Sequence, residues 1–97
     1  MAAPKPHKWT RVAERQFLEK LAWIARENLN AAGKLYDRVF KSIEILETHP
    51  EIGTPDGKGR RRYAVPQTPF VMFYRIKSRT VIISRFLRQE QDEASVP

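Results

Sequence analysis

The sequence predicts an α+β fold: an N-terminal strand, an antiparallel helical hairpin, and a curved sheet completed by a three-stranded antiparallel meander. Three observations predict it. Two stretches between residues 13 and 48 repeat apolar side chains at three- and four-residue spacing, the signature of helices with one buried stripe. Only Asn28-Leu29-Asn30 interrupts them, and so short a connection makes the helices antiparallel neighbours. After Gly57, three runs are rich in β-branched and aromatic residues, which favour strands.

Met1 to Pro6, with two prolines and small residues, reads as a frayed tail. His7 to Val12 reads as a short strand through Trp9, Thr10 and Val12. The first helix is expected over 13–27, its stripe made by Phe17, Leu21 and Ile24 with Leu18 and Ala25 beside them. Glu14 lies in its first turn, where the helix dipole favours an anion. Asn30 is expected to cap the second helix, which runs over 31–48 with Ala32, Leu35, Val39, Ile43 and Leu46 on one face. His49-Pro50 stops it, because proline disfavours helical geometry in the residue before it.

Glu51 to Gly59 reads as a loop. Strands are expected over 60–65, 70–76 and 80–86. Pro66 to Pro69 separates the first two, and the polar turn Lys77-Ser78-Arg79 joins the last two. Phe70 to Ile76 is nearly continuous apolar sequence, as a central strand requires. The polar, acidic end from about residue 90 to 97 reads as a second flexible tail, so one domain fills residues 1–97.

Charge is distributed unevenly along this chain. The formal net charge is +7, yet the segment Gly57 to Arg88 carries nine Lys and Arg and no Asp or Glu, and the remainder sums to −2. A sequence pI near 10.1 implies an anionic partner, such as nucleic acid, a ribosome, an acidic protein or anionic lipid. No apolar run approaches the ~20 residues that cross a bilayer, so no membrane partner is expected. There are no cysteines, which excludes disulfides and thiolate metal sites and makes the cytoplasm the expected location.

Lys58, Arg60, Arg61, Arg62, Arg75, Arg85 and Arg88 are the candidate binding residues. In a strand, Arg60 and Arg62 lie on one face and Arg61 on the other. Guanidinium groups bind phosphate or carboxylate bidentately, so the cluster reads as an anion-contacting patch. It also fits an edge strand that uses charge to block aggregation. Either Arg75 and Arg85 line a concavity shared with Arg60 or Arg62, or Arg75, Arg85 and Arg88 each pair with a helix carboxylate such as Glu14 or Glu47. His7 and His49 lie outside the segment without metal-ligand spacing, and Tyr63 and Tyr74 read as core. No metal and no cofactor are expected.

On these residues the chain resembles the RelE/ParE superfamily of bacterial toxins from type II toxin–antitoxin modules, over about Trp9 to Asp92. The matching pieces are the helical hairpin with Ala31-Ala32, His49 to Gly53, Gly59 to Val65, Thr68 to Arg75, and the closing strand Val81 to Leu87. The resemblance implies a growth-inhibiting toxin held in a heteromeric complex by a cognate antitoxin, whose extended segment wraps the basic and hydrophobic surface. ParE-like members poison DNA gyrase, whereas RelE-like members cleave mRNA in the ribosomal A site. Ribonuclease members place a tyrosine or histidine near the C-terminus. Here Arg88 stands near that place, and no His or Tyr follows Tyr74. Arginine stays protonated and is a poor general base. The Thr68-Pro69-Phe70-Val71 strand with Tyr74-Arg75 is closer to ParE-like chains, so gyrase is the expected target. Ribosome-dependent mRNA cleavage is the alternative; it would draw on Lys58, Arg60, Arg62, Arg85 and Arg88. A third reading is a binding module without toxicity.

Overall fold

Thr10 decides where the chain turns from strand to helix. In the computed structural model, which describes residues 7–89, its backbone is extended and its Oγ1 accepts a hydrogen bond from Ala13 N–H at 3.1 Å. That bond satisfies one of the N–H groups left unpaired at a helix start. Strand β1 is therefore His7–Trp9 and helix α1 is Arg11–Glu27. The strand expected over 7–12 ends early: Thr10 serves as cap and Val12 is already helical. Thr10 has the β-propensity of a branched residue, but its hydroxyl caps the helix instead.

A single extended residue, Asn28, joins the helices. Its N–H donates to Ile24 O at 2.8 Å, and its Oδ1 accepts from Ala31 N at 3.0 Å. It thus closes α1 and opens α2, Leu29–Thr48. Asn30, the expected cap, lies inside α2. Asn28 wins because only an extended residue before the first turn can aim its side chain at those N–H groups. At the far end, His49 N–H bonds Ile45 O at 2.7 Å, and Pro50 follows.

The sheet has five strands in the order β1-β5-β4-β3-β2, with β1 parallel to β5 and the other pairs antiparallel. Strands β3 (Arg61–Ala64), β4 (Phe70–Lys77) and β5 (Thr80–Arg88) form the expected meander. Strand β2, Thr54–Pro55, was not expected, because a Gly/Pro-rich stretch reads as loop. It pairs with β3 at the sheet edge, where proline's missing donor does no harm. Ser78 and Arg79 both have positive φ (50° and 64°), the conformation of a two-residue hairpin turn between Lys77 and Thr80.

One irregularity sets the faces of the sheet. Phe73 pairs with Arg85, but Tyr74 pairs with Ile83, so Ser84 has no counterpart on β4. Its Oγ donates to Phe73 O at 3.3 Å. This bulge lets Ile83 and Phe86 both face the helices despite their odd spacing. The core joins Ala13, Phe17, Leu35, Val39, Ile43 and Leu46 to Val65, Phe70, Met72, Tyr74, Val81, Ile83 and Phe86. Each large side chain buried this way contributes about 1.5–3 kcal/mol before entropy is counted. The α2 stripe is buried as expected, whereas Leu18 on α1 is 52% exposed. The expected tails at 1–6 and 90–97 lie outside the described residues.

Candidate docking surface

The helices cover one face of the sheet, and the register assigns side chains to the other. Directly paired residues share a face, so Arg62, Phe73 and Arg85 form one row across β3, β4 and β5. Ala64, Val71 and Leu87 form the next row toward one end. Toward the other lie Arg75, Ile82 and Lys8, the last from β1. Phe73 and Val71 are buried on this face, which therefore presents Arg62, Arg75, Arg85 and Lys8 together with Ala64, Ile82 and Leu87, a mixture that suits an anionic, partly apolar partner.

Arg60 completes this face by covering Phe73: its guanidinium carbon lies 4.2 Å from the ring centre. Its Nε also donates to Asp56 Oδ2 at 2.6 Å, and the Arg60 side chain is only 7% exposed. Asp56 Oδ1 accepts from Lys58 N–H at 3.3 Å, and Asp56 N–H donates to Arg60 O at 3.2 Å. These bonds close residues 56–60 into a tight loop, with Gly57 and Gly59 at positive φ (82° and 71°). Asp56 precedes the basic segment by one residue and is four before Arg60. That spacing was the signal by which the sequence could have given Arg60 a carboxylate.

Arg61 points the opposite way, as strand alternation predicts. It pairs with Tyr74, and its Nη1 donates to Glu51 O at 3.1 Å and Gly53 O at 2.8 Å. The Tyr74 hydroxyl donates to Pro50 O at 2.7 Å and accepts from Gly53 N–H at 2.9 Å. Together the two side chains brace the loop after α2. Burial raises the Tyr74 pKa above the ordinary tyrosine range, although the Gly53 bond and the Arg61 charge pull it back.

Arg88 is not brought to the open face. It pairs with Phe70, and its guanidinium carbon lies 5.8 Å from the Phe70 ring on the side of α1. There it joins Glu19, Lys20, Trp23 and Ile24 around a cavity of about 220 Å³. Burial lowers the Lys20 pKa; Glu19 opposes that shift and the charge of Arg88 adds to it. Glu47, considered as a partner for Arg75 or Arg85, bonds His7 Nδ1 at 2.8 Å instead. The structure thus brings Arg60, Arg62 and Arg85 together around Phe73, sets Arg75 one row away, and separates Arg61 and Arg88.

A family model described as the ParE toxin of type II toxin–antitoxin system, parDE, matches residues 7–93. The chain belongs to the ParE toxin family. Its fold is similar to that of a solved structure titled as the chromosomal ParDE TA system from P. aeruginosa: TM-score 0.75, 21% identity, covering 88% of this chain and 96% of that one. Among curated proteins, none matches the sequence. The expected RelE/ParE-type architecture is therefore the observed one.

For a ParE-family toxin, the chemistry this face offers is recognition. Its rows hold guanidinium, ammonium and apolar groups, which suit contact with acidic and apolar side chains. The buried Tyr74 hydroxyl is occupied by the loop brace, and Tyr63 packs on the core. Among the described residues, no three His, Cys, Asp or Glu side chains gather as metal ligands would, and no helix is long and apolar enough to cross a membrane.

Proposed function

We propose that the chain is a growth-inhibiting toxin acting on DNA gyrase in the cytoplasm, and that a cognate acidic antitoxin silences it by covering the open face of the sheet. One observation carries this reading. The rows Arg62–Phe73–Arg85 and Arg75–Ile82–Lys8 join cations to apolar side chains on a face the helices leave uncovered, and they contain no proton acceptor. Metal-free cleavage of RNA needs a group to take the 2′-hydroxyl proton. A poison that traps a protein–DNA complex needs only a surface. Membership of the ParE family supports the same direction.

The antitoxin fits by complementarity. Acidic side chains meet Arg62, Arg75 and Arg85, and apolar ones lie over Ala64, Ile82 and Leu87. Such binding weakens as salt screens exposed charges.

Two assays test the target. Purified toxin is added to gyrase in supercoiling and DNA-cleavage reactions, and cellular mRNA is mapped by primer extension after induction. Gyrase-linked DNA breaks without codon-spaced mRNA cuts are expected. The reverse pattern refutes the gyrase reading and restores mRNA cleavage.

A further inference from the structure

One end of the sheet carries Lys58, Lys77 and Arg79, which the docking rows do not include, beside Arg75, which ends one of those rows. Strand β3 starts opposite Tyr74, so β4 runs on through Arg75, Ile76 and Lys77 with no described strand on that side. A notch of about 440 Å³ opens there, lined by Pro55, the loop glycines 57 and 59, Arg61, Arg75 and Ile76 among others. Gly57 and Gly59 are required there by their positive φ, and a Cβ on Gly59 would make only ordinary contact with Arg75 Nη1 at 3.9 Å.

Arg75 lines this notch, Lys58 lies in the chain between its two loop glycines, Lys77 and Arg79 follow at the end of β4 and in its turn, and all four are exposed. Among the described residues, their side chains make no hydrogen bond or ion pair. The neighbouring carboxylate, Asp56, already accepts from Arg60 Nε and from the Lys58 N–H, so it does not neutralise them. Arg75 and Lys77 share a strand face about 7 Å apart. Like charges held this close repel one another, and a polyanion relieves that repulsion.

We propose that this notch binds the phosphodiester backbone of double-stranded DNA, independently of base sequence. A guanidinium fork at Arg75 suits a phosphate's paired oxygens, and Lys58, Lys77 and Arg79 extend the contact to adjacent phosphates. Single-stranded nucleic acid is taken by stacking on exposed aromatics, and the notch has none; Trp23 and Tyr36, the exposed ones, lie on the helices. This goes beyond gyrase poisoning, since it gives the toxin its own hold on DNA.

The test is fluorescence anisotropy of a labelled mixed-sequence DNA duplex with the full chain across a salt series. Wild type is expected to bind with affinity falling steeply as salt rises. Arg75→Gln/Lys77→Gln is expected to bind more weakly, with a log–log salt slope shallower by about 2, one unit per lost phosphate contact. Lys34→Gln/Lys41→Gln on α2 removes the same net charge elsewhere and is expected to keep the wild-type slope. Equal losses from both pairs, no binding of the duplex, or tighter binding of a poly-glutamate peptide at the notch would overturn the inference. Both substituted pairs are exposed, and circular dichroism checks that each variant folds. Gyrase is absent from the assay, so the result leaves the gyrase reading untouched.

Discussion

Gly53 sits where only hydrogen fits beneath the Tyr74 side chain. A Cβ there would meet the hydroxyl at 2.5 Å, the ring at 2.8 Å and Arg62 O at 3.0 Å. Gly53→Ala is therefore expected to lower stability by about 1–3 kcal/mol, read by urea denaturation. The same hydroxyl makes stability pH-dependent. Its folded pKa is raised, so the stabilising contribution is fully present below the unfolded tyrosine value of about 10 and is lost as pH rises through the folded value. A melting-temperature profile in alkaline buffer is expected to fall more steeply for wild type than for Tyr74→Phe. Arg60 is a third case. Replacing it with Ala strips Asp56 of its partner and uncovers Phe73, and is expected to cost about 3 kcal/mol, whereas exposed Lys58→Ala leaves the melting curve near wild type. From the basic run alone Arg60 and Arg62 look equivalent; the carboxylate that separates them stands just outside it.

At the scale of elements, the helices were legible because apolar spacing reports burial directly. Ala32, Leu35, Val39, Ile43 and Leu46 follow one stripe and all are buried. Caps were harder to read. Two asparagines flank Leu29, and local pattern does not say which is extended. Asn28→Ala is expected to cost about 1 kcal/mol in thermal unfolding, since it removes the Oδ1 that caps α2 while the backbone N–H that closes α1 remains. Asn30→Ala within α2 changes stability by about a few tenths of a kcal/mol. The two-residue β2 escaped notice because pairing with Arg61 and Arg62 is non-local, and nothing in Thr54-Pro55 itself favours a strand. The bulge at Ser84 was hidden for the same reason. It decides that Arg85 shares a face with Phe73 while Arg88 turns toward α1.

Across the whole molecule, charge and topology act together. The helical hairpin fills one face of the sheet, so cations along β3, β4 and β5 divide between the open face, the end of the sheet and the α1 side. Sequence alone located the positive charge but not that division, which follows from register and from one unpaired residue. On the proposed function, the open face is the docking surface, with Arg62 and Arg85 at its centre. The most direct measurement is growth of bacteria expressing the chain alone, wild type against Arg62→Ala/Arg85→Ala. The account predicts arrest by wild type, relieved by co-expressed antitoxin, and unimpeded growth with the variant at equal soluble level and similar melting temperature. Normal growth with soluble, folded wild type would contradict it, as would undiminished arrest by the variant.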